Sequence, residues 1–193
     1  MEITQMNIGI KSASISDIQD NTISTEAFTI IYESYYKRVF KYICYRIHNH
    51  HAAEDICSHV FEVVVSKYNS FSPEKSNFEV WLFAIARNAV TDYFRVQKRR
   101  VSFSLDSIVN MVLQRPSPED VVIQDDHHQA LFASLAMLSD KERHIIAMKY
   151  GAGLKNSEIA DLLGVSDSNI GVVLYRSLKK LHKVLETEGV YDE

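Results

Sequence analysis

Glycine and proline are scarce in this 193-residue sequence, which contains only six glycines and three prolines. Tight turns between strands use both residues, whereas helix interiors exclude them. The scarcity therefore predicts an all-α fold. Cysteine is scarce too, since Cys44 and Cys57 are too few for a disulfide framework, and both lie in amphipathic helical patterns. We expect buried, reduced thiols, with a redox switch as the alternative.

Signals for export and for membrane insertion are absent as well. The N-terminal stretch MEITQMNIGIKSAS has no basic start and no long apolar core of the kind that a signal peptide needs. No apolar run approaches the ~18 residues that a membrane-spanning helix requires. We therefore expect a cytoplasmic protein without membrane insertion.

An overall excess of cations is also missing, because 21 Lys and Arg residues face 25 Asp and Glu residues, giving a net charge of −4. This excludes a protein coated in base for indiscriminate nucleic-acid binding. The cations are nevertheless concentrated between residues 87 and 100, while residues 101–126 carry only Arg115 among five acids. A basic helix end followed by an acidic linker predicts a local DNA footprint.

Apolar residues recur every three or four positions over three stretches of the first half, and this spacing predicts three helices. The first two helices cover residues 25–47 and 52–67, and the third runs from the residue after Ser76 to about residue 100. Ser76 and Glu79 have the spacing of a capping box at the start of the third helix. We expect the buried stripe of that helix to consist of Trp81, Leu82, Ile85 and Ala89.

The sequence RPSP at 115–118 cannot continue a helix and indicates a linker between two small helical domains. We expect a flexible lead-in over 1–23, a first domain over 24–100, a flexible linker over 101–125, a second domain over 126–187 and a tail over 188–193.

The second domain carries a helix-turn-helix pattern. Ser139 and Glu142 form a second capping-box pair, and a short helix is predicted over 156–163. A three-residue turn that starts at Gly164 leads to a longer helix, which Ser166 caps. Such a turn places the first residues of the second helix in a major groove, where an asparagine pairs with adenine. A generic antiparallel helix pair is the alternative.

Cations and aromatic residues alternate along and around the third helix. The aromatic residues are Phe71, Phe78, Trp81, Tyr93 and Phe94, and the polar face carries Arg87, Asn88, Asp92 and Arg95. This combination suits single-stranded nucleic acid, whose bases stack while its phosphates are neutralised. Aromatic residues that serve only as core are the alternative, and the residues alone leave both interpretations open.

Two groups of motifs resemble a known family. AAEDI at 52–56, FEVWLFAIARN at 78–88 and DYFR at 92–95 closely resemble region 2 of the sigma-70 family of bacterial initiation factors. LSDKER at 138–143, SEIA at 157–160, LGVS at 163–166 and YRS at 175–177 resemble region 4. With only these two regions and a short linker, the chain is similar to the extracytoplasmic-function (ECF) sigma factors.

The resemblance implies three sets of contacts. It assigns docking on the clamp of the polymerase's largest subunit to Glu54, Asp55, His59, Phe61 and Glu62. It assigns capture and melting of the −10 element to Tyr68, Asn69, Ser70, Phe71, Asn77, Arg87, Asn88, Asp92, Arg95, Lys98, Arg99 and Arg100. It assigns the −35 element to Lys155, Ser166, Asp167, Ser168, Asn169, Val172, Val173, Arg176, Lys179 and Lys180.

The partners that the resemblance implies are core RNA polymerase, including the flap of its second-largest subunit, and promoter DNA. It leaves an anti-sigma protein open as a further partner.

Two positions depart from the family pattern. His59 stands where a glutamine is frequent, and the recognition helix reads NIGVV at 169–173 where Thr-Val-Lys-x-Arg is common. Two expected cations are therefore missing, and Gly171 is a weak helix former. We expect phosphate anchorage at the −35 element either to be weaker or to shift to Lys155, Arg176, Lys179 and Lys180.

Two other classes of protein compete with this interpretation. A stand-alone helix-turn-helix regulator would need a ligand-binding or dimerisation domain. A metal sensor or metalloenzyme would use His48, His50, His51, Cys57 and His59, but these residues lie across a helix break rather than at one ligand spacing. No motif pairs a nucleophile with a base, so we expect no catalytic residue, no metal and no cofactor.

Overall fold

The structure is a computed structural model that describes residues 23–47, 49–102 and 126–187. Within these ranges the chain forms helices and short connections and no strand, which confirms the all-α prediction. Most of the predicted lead-in and linker, the predicted tail and His48 lie outside the described residues. The domain boundaries at 24, 101, 126 and 188 stay predictions.

The N-terminal half, residues 23–102, consists of α1 (Thr25–Arg46), α2 (His50–Lys67), a 3₁₀ turn (Tyr68–Ser70) and α3 (Phe78–Ser102). The C-terminal half, residues 126–187, consists of α4 (Asp126–Ala136), α5 (Asp140–Ile146), a π-helical turn (Ala147–Gly151), α6 (Asn156–Leu163) and α7 (Asp167–Thr187). In the ranges that the structure describes, no helix is both long enough and apolar enough to cross a membrane.

Local hydrogen bonds fix the starts of most helices. The Ser24 side chain accepts from the backbone N–H of Ala27 at 3.2 Å, and Asn49 does the same for Ala52 at 2.7 Å. The predicted capping box of α5 is confirmed, because Ser139 and Glu142 each accept from the other's backbone N–H. Such caps satisfy amide groups that have no partner inside the helix.

The predicted capping box at Ser76 is wrong. α3 begins at Phe78, so Asn77 rather than Ser76 precedes the helix, and the Trp81 N–H donates to the Asn77 carbonyl at 3.1 Å. Both carboxylate oxygens of Glu79 accept from the guanidinium of Arg38 at 2.8 and 2.9 Å. The Glu79 side chain, which the local pattern assigned to a helix cap, instead forms a long-range ion pair with Arg38.

The buried face of α3 also differs from the predicted stripe. Leu82 is buried as expected, but the other buried residues are Phe83, Ala86 and Val90, while Trp81, Ile85 and Ala89 are half-buried. The Phe83 ring meets Tyr42 of α1 edge to face, with centroids 5.9 Å apart. α3 also packs against α6 of the C-terminal half. A helix that is covered from two sides buries a wider arc than an amphipathic pattern predicts.

The two halves share one continuous core. The π-helical turn lies directly against α1, and a Cβ atom added to Gly151 would stand 2.8 Å from the Cα atom of Tyr42. Only a residue without a side chain permits this approach. The sequence predicted two domains but not that they would pack on each other.

Candidate nucleic-acid interface

The predicted helix-turn-helix is present in the C-terminal half. α6 ends at Leu163 and is capped by Gly164, whose φ of 64° is left-handed. The Ser166 side chain accepts from the backbone N–H of Asn169 at 3.2 Å. Ile159 and Ala160 are buried, as expected. Leu162 and Leu163 are only half-buried and Val165 is 36% exposed, so the turn contributes less to the core than the sequence suggested.

Most residues that the sequence assigned to the −35 element lie on one exposed side of this unit. α7 buries Ile170, Leu174, Ser177 and Leu181. The side of α7 that faces away from them carries the exposed residues Asp167, Ser168, Asn169, Val172, Arg176 and Lys179. Lys155 and Ser166 are exposed as well, whereas Val173 is half-buried. A helix whose first turn exposes Asp167, Ser168 and Asn169 while Ile170 anchors it in the core has the geometry of a recognition helix.

Lys180 is exposed, but its charge is paired within the protein. Its Nζ atom lies 2.6 Å from a carboxylate oxygen of Glu142 in α5. The hydrogen bond from Lys180, with further bonds from Ser139, lowers the pKa of Glu142 to about 2. The charge of Lys180 is therefore largely neutralised within the fold, unlike that of Arg176 or Lys179.

The basic end of α3 forms a second exposed surface. Asn88, Asp92, Arg95, Lys98, Arg99 and Arg100 are all exposed, and Arg95 forms an ion pair of 3.0 Å with Asp92. Arg87 differs from them, because it is half-buried and its guanidinium donates to the carbonyl of Leu162 at the end of α6. One residue predicted to contact the −10 strand is therefore engaged by the other half of the protein.

The predicted −10 loop combines exposed amides with packed aromatic rings. Asn69, Ser70 and Asn77 are exposed, while Tyr68 and Phe71 are half-buried. The Phe71 ring lies 5.3 Å from that of Phe78 and 5.4 Å from that of Trp81.

The five aromatic residues predicted to lie around α3 thus form two groups. The second group pairs Tyr93 with Phe94, and the guanidinium of Arg46 lies over Phe94 at 5.4 Å.

The residues that the sequence assigned to polymerase docking share the outer face of α2, with one exception. Glu54, Asp55, His59 and Glu62 are exposed, and His59 lies 3.4 Å from Glu62. Phe61 is 3% exposed and packs against Phe28, Tyr32 and Tyr36. The Phe61 ring therefore packs beneath the exposed face of α2 and is not accessible to a partner.

The histidines of α2 are engaged with a carboxylate. His50 and His51 lie 3.3 and 3.6 Å from Glu54. Cys57 is buried, and its burial raises the pKa of the thiol to about 12, as it does for Cys44. Among the residues that the structure describes, no group of three or more His, Cys, Asp or Glu side chains could hold a metal ion.

Sequence reasoning missed the contacts that hold the halves together. The Arg38 guanidinium, paired with Glu79, also donates to the carbonyl of Ala152 at 2.7 Å. Tyr42 Oη lies 3.2 Å from His144 Nε2, and Arg46 donates to the carbonyl of Asp140 at 3.0 Å. The one available signal was Arg46, a cation at an apolar-stripe position of α1, but its partner lies 94 residues away.

Comparison with known proteins gives matches in both halves. A family model for sigma-70 region 2 matches residues 31–100, and a model for sigma-70 region 4 matches residues 128–181. The chain is 28% identical over 164 residues to the ECF RNA polymerase sigma factor BldN of Streptomyces coelicolor, covering 85% of this chain. The match spans 62% of BldN, which is less than two thirds of its length. The ECF sigma factor SigX of Bacillus subtilis is 26% identical, and 83% of this chain and 84% of SigX are covered.

Solved structures show the same fold. The sigma factor RpoE of Bartonella quintana, crystallised with the anti-sigma factor NepR, superposes with a TM-score of 0.67 at 22% identity, covering 86% of this chain and 98% of that one. CnrH, in complex with the cytosolic domain of CnrY, gives a TM-score of 0.60 at 18% identity, covering 85% and 90%. Both regional models match in order, and together they cover well over half of the sequence, so the chain belongs to the ECF group of the sigma-70 family.

Proposed function

We propose that this protein is a non-enzymatic specificity subunit that binds core RNA polymerase and directs initiation at promoters with a −35 and a −10 element. The observation that carries the proposal is the presence, in one chain, of an exposed recognition helix, α7, and an exposed basic helix end, α3. A stand-alone regulator would use the first surface and has no role for the second.

The C-terminal half reads duplex DNA at −35 in this proposal. Asp167, Ser168 and Asn169 occupy the exposed first turn of α7, where side chains reach base edges. Arg176 and Lys179 lie two to three turns further along and contact phosphates, which position the helix without specifying a sequence. Lys180, paired with Glu142, contributes less than the sequence suggested.

The N-terminal half holds the unpaired −10 strand. Arg95, Lys98 and Arg100 supply positive charge along α3, and the loop 68–77 offers Asn69 and Asn77 beside the Phe71–Phe78–Trp81 rings. A base removed from the stack loses a few kcal/mol of stacking and pairing, which a pocket of hydrogen bonds and rings offsets.

The outer face of α2 docks on the clamp of the polymerase's largest subunit. Glu54, Asp55 and Glu62 make this face acidic, so it complements a basic partner surface and steers association. The C-terminal half binds the flap of the second-largest subunit. The names of BldN and SigX, both RNA polymerase sigma factors, support this assembly.

Promoter binding requires the two halves to separate. Positions −35 and −10 are about 25 base pairs apart, or roughly 85 Å of duplex at ~3.4 Å per pair. A compact chain of 193 residues has a radius of gyration of only about 16 Å. Residues 103–125 connect the halves, and 23 extended residues reach up to about 80 Å. Separation also releases Arg87 from Leu162 and makes it available to the −10 strand.

Run-off transcription with core polymerase over a pool of random promoters tests the proposal. We expect selected templates to share two separated sequence elements. The pure protein should bind these templates weakly and should gain strong, specific binding only with core polymerase, since its net charge is −4 and its basic surfaces are small. Tight operator binding by the pure protein in physiological salt would instead identify a stand-alone regulator.

Charge reversal on α2 tests the docking face. Asp55→Lys combined with Glu62→Lys should abolish co-purification with core polymerase, because two exposed carboxylates that complement the clamp become repulsive. Helix content, measured by circular dichroism, should not change. Glu33→Lys, the same type of change on the exposed side of α1, is the control and should leave assembly intact. Unchanged assembly and transcription in the double variant would show that this face does not dock.

A further inference from the structure

The centre of the exposed face of α7 is apolar, although its two ends are polar. Val172 is 46% exposed and follows Asn169 by three residues and precedes Arg176 by four, so it lies between them on one line of the helix surface. The next apolar residue along this face, Tyr175, is 71% exposed. This arrangement leaves an unpartnered valine about one turn beyond Asn169, next to the residues proposed to reach base edges.

Hydrogen-bonding side chains are missing from this part of the helix. Residues 170–174 read IGVVL, so five consecutive positions carry no polar side chain. Base edges in the major groove present hydrogen-bond donors and acceptors, and the C5-methyl group of thymine is the most prominent apolar group among them. A helix that exposes a methyl-bearing side chain and no donor over this turn is complementary to that group.

Space and charge around Val172 favour DNA as the occupant of this face. A Cβ atom added to the neighbouring Gly171 would meet nothing within 4 Å, so the helix surface beside Val172 is open to a close approach. Arg176 and Lys179 are exposed on the same side, and neither forms an ion pair with any residue in the described ranges. An apolar centre followed by two available cations matches a base methyl flanked by phosphates.

We propose that Val172 is a specificity-determining residue that recognises the C5-methyl group of one thymine in the −35 element. This inference rests on the proposed function of α7 as the −35 helix. Asn169 then reads the neighbouring base pair by hydrogen bonds, while the methyl contact supplies selectivity that a hydrogen-bond pattern does not. The loss of two family cations from this helix is accordingly a change of recognition chemistry rather than a weakening.

Replacing thymine with deoxyuridine isolates the methyl group, because uracil keeps every hydrogen-bonding atom of thymine. Binding of holoenzyme, made from the full chain and core polymerase, is measured on a selected promoter and on versions in which each −35 thymine is replaced singly. We expect one position where deoxyuridine weakens binding about fourfold, which corresponds to the ~0.8 kcal/mol of one buried methyl-sized group. Val172→Ala should bind both versions of that position equally.

Leu178→Ala is the matched control. Leu178 is 41% exposed on the same helix but lies roughly 120° around the axis from Val172, and its truncation should leave the discrimination intact. The proposal is overturned if the selected −35 element has no thymine or no position distinguishes thymine from deoxyuridine. It is likewise overturned if Val172→Ala retains the discrimination or instead loses assembly with polymerase.

The proposed function fails separately from this inference. Scrambling the whole −35 element tests whether α7 reads it at all. If scrambling weakens binding while deoxyuridine has no effect, the −35 assignment of α7 is supported and the proposed methyl contact is wrong. If scrambling has no effect, the −35 assignment itself is wrong.

Discussion

The cores of the two halves differ in the kind of side chain they bury. In the N-terminal half, Phe61 packs against three aromatic rings of α1. In the C-terminal half, the largest fully buried side chains are aliphatic and include Leu135, Ile145, Ile159 and Ile170. The N-terminal half uses three helices of 18 to 25 residues. Most helices of the C-terminal half are short, and their ends are defined by caps at Ser139, Gly164 and Ser166.

The contrast shows two ways of placing a functional helix. In the N-terminal half, ring packing between residues distant in sequence sets where α3 lies. In the C-terminal half, hydrogen bonds between residues three apart set where α6 begins and ends and where α7 begins, and a small core then fixes their crossing. The contact between the halves belongs to neither type, because it combines glycine packing, a half-buried histidine and a bridging arginine.

Filling the glycine contact should have the largest effect on this comparison. Gly151→Ala places a Cβ atom 2.8 Å from the backbone of Tyr42, and backbone atoms cannot rotate out of the way as a side chain can. We expect the free energy of unfolding, measured by urea denaturation, to fall by about 3 kcal/mol, at the upper end of what overpacking costs.

Gly171→Ala is the control for the same substitution. Nothing lies within 4 Å of a Cβ atom there, and the site is inside a helix, so stability should rise by up to about 1 kcal/mol. Equal stability of Gly151→Ala and the wild-type protein would show that the two halves do not hold each other in solution.

Acid should weaken the contact between the halves through His144. Burial, followed by the nearby charges of Arg46 and Arg87, lowers the pKa of His144 to about 3, whereas an unfolded histidine titrates near 6.5. Between those pH values the unfolded chain binds a proton that the folded protein does not, so stability is lost as pH falls below about 6.5. The expected loss is about 1.4 kcal/mol per pH unit, or roughly 2 kcal/mol by pH 5.

Urea denaturation at pH 7.5 and pH 5 measures this loss. His144→Gln should remove most of the difference between the two pH values, because a neutral amide replaces the imidazole. His182→Gln, on the exposed surface of α7, should leave the difference unchanged. A wild-type protein equally stable at both pH values would mean that His144 is protonated without cost in the folded state.

Helix caps should give the smallest effects and should differ between the halves. Ser139→Ala removes the hydroxyl that accepts from the Glu142 N–H and donates to the Glu142 carboxylate at the start of the seven-residue α5, and we expect a loss of about 1 kcal/mol in urea denaturation. Ser24→Ala removes a single hydrogen bond of 3.2 Å from the N-terminus of the 22-residue α1, and the free energy of unfolding should fall by about 0.5 kcal/mol. A larger loss at Ser24 would show that the N-terminal half depends on local caps as much as the C-terminal half does.

The sequence predicted most where structure is local. The bounds of α6, the capping box of α5 and the left-handed turn at Gly164 follow from residues within four positions of each other, and all three are confirmed. Most residues that the sequence assigned to the −35 element are exposed on α7, but their contacts with DNA stay predictions.

The sequence predicted least where distant residues compete for a side chain. Glu79 had the spacing of a cap but binds Arg38, 41 residues away, and Phe83 is buried because α1 covers a side of α3 that no periodicity marks. Arg87 looked like a free cation beside a nucleic-acid strand, yet its partner is a carbonyl 75 residues further along. One sequence contains no record of which distant groups meet, so these contacts required the structure.

If Arg87 binds the −10 strand as proposed, its bond to Leu162 links DNA binding to separation of the two halves. A strand that binds Arg87 would then displace α6, and a polymerase that draws α6 away would raise the affinity of the N-terminal half for that strand by the same factor. If the closed pairing dominates in the free protein, its apparent affinity for DNA is reduced by the fraction of molecules that are open. Each ~1.4 kcal/mol in favour of closure then lowers that affinity tenfold. The protein without core polymerase would thus suppress its own DNA binding without any further inhibitor.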